Sequence, residues 1–249
     1  MSTDEFDYNQ IPPGYYDKAA HEGTSVRRYW HQYKFTYVSD LIKKSNMSDT
    51  GAPLKVIDIG CGPGTFLGYL DKTCSISGLG VDIAGPQIEY ANEKYGSAKL
   101  KFICASASDD VVVDEIKKAD VITLIEVIEH LHLKEAKNIL NLLYKNMAPE
   151  SQLYITTPNY LSYWPALESI VNSLSEVNYE EQHITRLNRK RLTSLLETSG
   201  FKNVHVRSFL HMSPFAVGIL GKGLGSFTRK LENKFLSHGG PLLCAKATR

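Results

Sequence analysis

The chain has 249 residues, of which 43% are hydrophobic and 22% are charged, and its formal net charge is +1. This length and composition are typical of one soluble domain with a large core, and they exclude a disordered or fibrous chain. No apolar run reaches the roughly 18 residues of a membrane-spanning helix, and the N-terminus is acidic and aromatic, so we expect a cytosolic protein. Four separated cysteines form no C-x-x-C pair and predict free thiols: Cys61, Cys74, Cys104 and Cys244.

The nearly neutral net charge averages two unlike parts of the chain. Residues 183–249 contain twelve lysines and arginines but only two acids, Glu197 and Glu232, so they carry a net charge of +10. The remaining residues carry −9. This asymmetry indicates either an anionic partner for the C-terminal end or ordinary basic surface on late helices.

In chain order, short apolar runs rich in β-branched residues alternate with amphipathic stretches of helix length. This alternation is typical of βαβ units around a mostly parallel sheet. Seven strands are predicted, at Leu54–Ile59, Gly78–Asp82, Leu100–Cys104, Ala119–Ile125, Gln152–Thr157, Asn203–Phe209 and Pro241–Ala247. Helices are predicted at Gly85–Tyr95, Lys134–Met147 and Asn188–Thr198. We therefore expect a doubly wound α/β fold with a seven-stranded sheet in a single domain, residues 1–249.

Two segments flank or interrupt this predicted core, which comprises residues 47–212 and a last strand within 239–249. Residues 1–46 are rich in aromatic side chains, and their later part is predicted to form an amphipathic helix. That segment either packs on the sheet edge or forms a lid over a substrate. Residues 213–238 interleave apolar and basic residues. Such a stretch suits either a helical cap on the core or a helix on an anionic membrane surface.

A glycine-rich turn follows the first predicted strand. Gly60, Gly62 and Gly64 stand where the backbone must turn from a strand into a helix and let a ligand approach closely. The spacing is G-x-G-x-G: Thr65 stands where a dinucleotide fingerprint has its third glycine, which argues against NAD. Asp82, which ends the next strand, is placed like an acid that binds the ribose hydroxyls of a nucleoside.

Together with the later stretch ADVITLIEVIEHL, these motifs resemble the class I S-adenosylmethionine-dependent methyltransferases over residues 40–210. The resemblance implies a Rossmann-like methyltransferase fold, with S-adenosylmethionine as cofactor and S-adenosylhomocysteine as product. It implies that the first loop lies against the methionine part of the cofactor and that Asp82 holds the ribose. The family motif that follows the third predicted strand lacks the acid that usually lies near the adenine, and Ser106 is the best substitute for that acid. The residues expected to bind the cofactor are Asp58, Gly60, Cys61, Gly62, Gly64, Asp82, Ile83, Ser106, Ala107 and Glu126.

An acid and histidine cluster follows the fourth predicted strand. Glu126, Glu129 and His130 are spaced i, i+3 and i+4, so on a helical turn their side chains lie on one side. With the distant His183, this pattern resembles the ubiquinone-biosynthesis O-methyltransferases and the small-RNA 2′-O-methyltransferases. That resemblance implies that Glu126, Glu129, His130 and His183 bind a divalent cation, Mg²⁺ or Zn²⁺.

The same motif also occurs in superfamily members where the histidine only packs or caps a helix. Without a metal, His130 or His183 is the best candidate general base, because imidazole titrates near neutral pH. We accordingly take His130, His183 and Glu129 as the candidate catalytic residues.

The expected function is methyl transfer to a hydroxyl of a small or lipid-linked molecule. N- or C-methylation of a small metabolite and 2′-O-methylation of RNA are the alternatives, and a binding module without activity is disfavoured because three motifs occur together. The expected partners are the acceptor molecule and an anionic membrane surface contacted through residues 213–238, which would make a cytosolic protein peripheral to the membrane. RNA is a weaker candidate, because the basic residues are mixed with apolar ones.

Overall fold

The computed structural model describes residues 11–45, 52–174, 182–236 and 238–249. Its sheet has seven strands in the order β3-β2-β1-β4-β5-β7-β6. The strands are β1 Leu54–Ile59, β2 Ile76–Asp82, β3 Leu100–Cys104, β4 Val121–Ile125, β5 Gln152–Pro158, β6 Lys202–Phe209 and β7 Leu242–Thr248. β1 to β5 pair in parallel, whereas β7 runs antiparallel to both β5 and β6. The doubly wound, mostly parallel sheet that the sequence predicts is confirmed.

Ten α-helices are described around this sheet. They are α1 Tyr15–His21, α2 Ser25–Ser45, α3 Thr65–Asp71, α4 Gly85–Tyr95, α5 Asp110–Ile116, α6 Leu133–Asn146, α7 Trp164–Leu174, α8 Arg189–Thr198, α9 Ser213–Leu220 and α10 Lys222–Phe235. A 3₁₀ turn, Ile128–His130, follows β4. None of the helices in the described ranges is both long and apolar enough to cross a membrane.

The helices cover the two faces of the sheet and form one core on each. On one face, side chains of α2, α3 and α4 pack with Val56 and Val121. On the other, side chains of α5, α6 and α8 pack with Ile57 and Ile122. Successive strand residues therefore enter opposite cores, as the pleat of a strand requires. This packing explains why the inner strands read as continuous apolar runs.

Both flanking segments form helices: α2 lies in the later part of residues 1–46, where a helix is predicted, whereas α1 was not predicted. Residues 1–46 contribute α1 and α2, and residues 213–238 contribute α9 and α10, between β6 and β7. Within the predicted segments, residues 1–10, 46–51, 175–181 and 237 lie outside the described residues. All four cysteines are free thiols, as predicted.

Candidate active site

The order of the strands places one edge of the sheet at a topological switch point. β1 lies between β2 and β4, so the connections from β1 and β4 lead to opposite sides. In open α/β sheets ligands bind outside the carboxyl ends of the strands at such a point. The glycine loop follows β1 and the acid and histidine cluster follows β4, so both predicted sites meet there.

The glycine loop has a left-handed backbone at all three glycines of its motif. Gly60, Gly62 and Gly64 have φ of 71°, 50° and 73°, a conformation that L side chains rarely adopt. A Cβ at Gly60 would lie 2.5 Å from a methyl group of Val127, whereas one at Gly62 would meet no atom within 4 Å. Gly60 thus allows the turns after β1 and β4 to approach each other, and Gly62 presents bare backbone to open space.

Asp82 fixes this loop against the end of β2. Its carboxylate accepts hydrogen bonds from the backbone N–H of Gly62 at 2.8 Å and of Ala84 at 2.9 Å. Burial raises the pKa of Asp82, and these two bonds oppose the rise. An acid held in this way is preorganised to accept hydrogen bonds from ribose hydroxyls.

Asp58 lies beneath the loop in the middle of the sheet. It is 1% exposed and is registered opposite Thr123 on β4, whose hydroxyl donates to its carboxylate at 2.6 Å. Burial raises the pKa of Asp58 to about 7, the bond from Thr123 opposes the rise, and the nearby charge of Asp82 adds to it. A cationic ligand above the loop would therefore favour the ionised form of Asp58.

The predicted adenine end of the site follows β2 and β3. Ile83 has 65% of its surface exposed, which leaves an apolar side chain available beside Asp82. Ser106 donates its backbone N–H to Asp109 at 2.9 Å, and its hydroxyl contacts that of Ser108 at 2.9 Å. Ala107 is buried in the core, so any contact of its side chain with a ligand is limited, and Ser106 remains the polar candidate.

The turn after β4 differs from the helical turn that the spacing predicts. Glu126 has φ of 56°, in the left-handed region, and only Ile128–His130 form a 3₁₀ turn. A non-glycine residue in that region is uncommon, and such strain is found preferentially at functional sites. The backbone N–H of Glu126 donates to the carbonyl of Thr156 at 3.1 Å, which extends the pairing of β4 and β5 and holds this conformation.

His183 is brought to this turn by the segment that precedes α8. Thr185 donates its backbone N–H to the carbonyl of Glu129 at 2.9 Å and its hydroxyl to the carbonyl of Leu131 at 2.5 Å. The rings of His130 and His183 consequently lie 5.1 Å apart, centroid to centroid. One donor atom from each of Glu129, His130 and His183 lies within 4.8 Å of the other two. Glu126 lies beside this group of three.

Both histidines are held through hydrogen bonds of their Nδ1 atoms. Nδ1 of His130 bonds to the carbonyl oxygen of Gln182 at 3.0 Å, and Nδ1 of His183 bonds to a carboxylate oxygen of Glu168. The carbonyl of Gln182 can only accept, so Nδ1 of His130 donates and its neutral ring has the lone pair on Nε2, whereas Nδ1 of His183 also lies 2.9 Å from the hydroxyl of Tyr160. Tyr160 also donates to Glu168, at 2.9 Å. Burial alone would raise the pKa of Glu168, but the bonds from His183 and Tyr160 lower it overall.

The carboxylate of Glu129 has no comparable partner. Its side chain is fully buried, and neither oxygen has a hydrogen-bond partner among the residues that the structure describes. Burial raises its pKa well above the usual value, and the charge of Glu126 raises it further. Burial lowers the pKa of His130 to about 4, with a further contribution from His183, so this imidazole is neutral at neutral pH. A buried acid that has no hydrogen-bond partner among the described residues, beside the neutral imidazole of His130, is costly unless a cation binds.

Four further residues, which the sequence did not predict, also lie at this site: Lys34, Glu168, Tyr160 and Trp164. Lys34 on α2 is 5% exposed, and its ammonium lies 3.8 Å from the carboxylate of Glu126. The ring of Trp164 lies 6.2 Å from that of His183. The sequence offered one signal for Lys34: it is the single lysine within the aromatic run YWHQYKF. A lysine on an apolar helix face needs a partner.

Comparison with known proteins identifies relatives that share parts of this chain. The 2-ketoarginine methyltransferase of Streptomyces arginensis is 40% identical over 65 residues, which are 25% of this chain and 18% of that protein. The mitochondrial ubiquinone biosynthesis O-methyltransferase of Dictyostelium discoideum is 25% identical over 154 residues, 54% of this chain and 47% of that protein. The chain thus spans less than half the length of these curated relatives.

The fold is similar to that of a solved structure, and the sequence matches the profile of a protein family. The plantazolicin methyltransferase BpumL, in complex with S-adenosylhomocysteine, matches with a TM-score of 0.60 and 18% identity, over 92% of this chain and 91% of that one. At this identity the likeness is one of fold. The sequence profile described as "Methyltransferase domain" matches residues 29–206, which contain the glycine loop, Asp82 and the cluster after β4. The chain therefore belongs to the class I S-adenosylmethionine-dependent methyltransferases.

Proposed function

We propose that this methyltransferase transfers the methyl group to a hydroxyl of a small or lipid-linked acceptor, with a divalent cation, Mg²⁺ or Zn²⁺, at the cluster after β4. The observation that carries the proposal is the buried carboxylate of Glu129, for which no described part of the chain supplies a hydrogen bond. It faces two histidines whose Nδ1 atoms are both bonded to acceptors. Histidines held in this way are typical of metal ligands, because the second bond fixes the ring and its tautomer.

The residues present fit such a cation. Glu129, His130 and His183 would hold it, with Glu126 beside them supplying a further carboxylate. Of the two proposed ions, Zn²⁺ suits this mixture of oxygen and nitrogen donors better, because Mg²⁺ prefers oxygen ligands. When bound, a divalent cation lowers the pKa of an acceptor hydroxyl and orients it.

The transfer itself needs little more than alignment. The acceptor oxygen forms a bond to the methyl carbon, the carbon–sulfur bond breaks, and its electron pair returns to sulfur in S-adenosylhomocysteine. The hydroxyl proton leaves to solvent water where Nε2 of His183 would hold the cation, and to the imidazole of His183, oriented by Glu168, if no cation is bound. Asp82 and the glycine loop position the methyl donor, so much of the acceleration comes from orientation.

A methyl-transfer screen tests the proposal. Catechols, hydroxylated lipids, glycans and RNA are offered to the enzyme with labelled S-adenosylmethionine, before and after chelation. We expect transfer to a hydroxyl compound that chelation abolishes and added divalent cation restores. Glu129→Gln and His183→Asn should lower kcat/KM by at least about 100-fold, since each removes a direct ligand, and Glu168→Gln by about 10- to 100-fold. His205→Asn, at an exposed histidine of β6, is the matched control and should stay fully active.

Three results would contradict the proposal. Full activity after chelation, together with an active Glu129→Gln variant, would remove the cation. Transfer only to amines or carbon acids would replace O-methylation with the N- or C-methylation alternative. Transfer restricted to RNA 3′ ends would favour the nucleic-acid branch over a small or lipid-linked acceptor.

A further inference from the structure

The helical hairpin α9–α10 presents an apolar stripe to solvent that the methyl-transfer site does not use. On α10, Leu224, Phe227 and Leu231 are 45%, 57% and 42% exposed. Their spacing of i, i+3 and i+7 aligns them along one side of the helix. Lys230 and Lys234, both exposed, lie along one side of the stripe. We call these five residues the outer face of α10.

The inner face of α10 holds the helix in one orientation. Gly225 lies so close to α9 that a Cβ there would meet a methyl group of Val217 at 2.0 Å. The guanidinium of Arg229 lies 4.9 Å from the centroid of the Tyr33 ring on α2. These contacts hold α10 against α9 and α2, so the apolar stripe cannot turn inward without disrupting packed residues.

A buried acid fixes the hairpin further. Glu232 is 5% exposed, and its two carboxylate oxygens accept hydrogen bonds from the backbone N–H of Met212 at 2.6 Å and the hydroxyl of Ser213 at 2.7 Å. Negative charge at the start of α9 is stabilised by the helix dipole. Because Glu232 is the single acid of α10 and lies inside, the outer face carries positive charge alone.

We propose that the outer face of α10 docks this methyltransferase on the surface of an anionic lipid bilayer. A helix with large apolar side chains on one side, flanked by lysines, lies in the interface of a membrane with its apolar side among the acyl chains. Each lysine near an anionic surface adds attraction, and the outer face carries Lys230 and Lys234 without an acid. Charge complementarity therefore selects a lipid with an anionic headgroup.

The chemistry of the face favours a membrane over a nucleic acid. Phosphate backbones are bound by basic and polar side chains, with aromatic rings that stack on bases. Here two leucines and a phenylalanine occupy the centre of the face and the lysines only its border. Removing those three side chains from water is favourable in an acyl environment, and RNA would leave the leucines largely in water.

Flotation with phosphatidylglycerol-containing vesicles, compared with pure phosphatidylcholine vesicles, tests the proposal on the full chain. We expect capture by the anionic vesicles only, weakened by high salt. Phe227→Ser with Leu231→Ser should reduce partitioning at least about tenfold, and Lys230→Gln with Lys234→Gln about 25-fold at low salt. All these positions are exposed, and thermal unfolding should confirm that the variants fold like the parent.

Matched controls change the same chemistry elsewhere. Val111→Ser with Leu133→Ser removes two exposed apolar side chains, and Lys117→Gln with Lys118→Gln removes two exposed charges. Both controls should bind vesicles like the parent. Equal binding by parent and α10 variants, equal capture by both vesicle types, or binding to RNA but not to vesicles would overturn the proposal. A dimer that Phe227→Ser with Leu231→Ser converts to a monomer would also overturn it, since the face would then bind a second copy of the chain.

Discussion

Asp58 is a buried acid whose ionisation is linked to what lies above the glycine loop. Its hydrogen bond from Thr123 crosses from β1 to β4, the two strands at the switch point. Burial gives it a pKa of about 7, so the carboxyl is half ionised at neutral pH without a ligand. S-adenosylmethionine carries a sulfonium and an ammonium group, and both favour the carboxylate over the neutral acid.

Cofactor affinity should therefore rise with pH through this range. Below a pH of about 7 the ligand must bind while a proton is expelled from Asp58, so the dissociation constant should increase by up to about tenfold per pH unit. Calorimetric titration of S-adenosylmethionine from acidic to mildly alkaline pH measures the slope. Asp58→Asn should flatten the profile, and a flat profile in the parent chain would show that Asp58 is not linked to binding.

At the scale of elements, α1 is joined to the cofactor loop by one buried acid. Asp17 is fully buried and accepts hydrogen bonds from Thr65 and Tyr90, each at 2.9 Å, and from Tyr95 and Lys94. Burial alone would raise the pKa of Asp17, but these bonds lower it overall. Thr65 directly follows Gly64, so the acid attaches the N-terminal helix to the first turn of α3.

Removing this charge should destabilise the fold. Asp17→Asn leaves Lys94 without its carboxylate and changes four donor contacts, and we expect a loss of about 2–4 kcal/mol in the free energy of unfolding. Because the folded pKa is lowered, the contribution of Asp17 is present above the unfolded pKa, near 3.8, and is lost as the pH falls below it. Urea unfolding at neutral and acidic pH measures both effects. Asp114→Asn, on the surface of α5, should leave the midpoint unchanged, and an unchanged midpoint for Asp17→Asn would contradict this assignment.

The strands were predictable because their apolar runs and punctuating glycines depend on local sequence. Three helices were not predicted: α1, α5 and α7. In α5 the run Val111–Val113 favours a strand, and packing of Val112 and Ile116 against the core overrides that preference. For α7, the sequence contains a helix start signal: Ser162 stands two residues before Trp164, and a proline follows Trp164. In the structure the hydroxyl of Ser162 accepts the backbone N–H of Trp164.

The candidate site was predictable only where its residues follow strand ends. Glu129, His130 and Asp82 follow β4 and β2, so the fold class alone places them at one edge of the sheet. Lys34 and Glu168 reach the same site through the packing of α2 and α7. No local pattern encodes that packing, because each contact joins parts of the chain that are far apart in sequence.

At the scale of the whole molecule, the N-terminal segment is part of the core rather than a detachable cover. Val38 and Ile42 on α2 are fully buried against the sheet. The same helix places Lys34 beside Glu126 and the ring of Trp30 5.7 Å from that of Trp164. Both alternatives for this segment thus meet in one helix, which packs on the sheet and also reaches the candidate site.

The unfolding of the whole chain should therefore be a single event that includes α2. Ile42→Ala removes a fully buried side chain and should cost about 2–4 kcal/mol, whereas Val111→Ala, at a position that is 59% exposed, should stay within about 0.5 kcal/mol of the parent. The only two tryptophans, Trp30 and Trp164, report on the contact between α2 and α7, and circular dichroism reports on all helices. In denaturant, both signals should shift to the same lower midpoint in Ile42→Ala, since α2 shares its core with the sheet. A tryptophan transition that precedes the loss of helix signal would instead mean that α2 opens on its own, as a lid over the site.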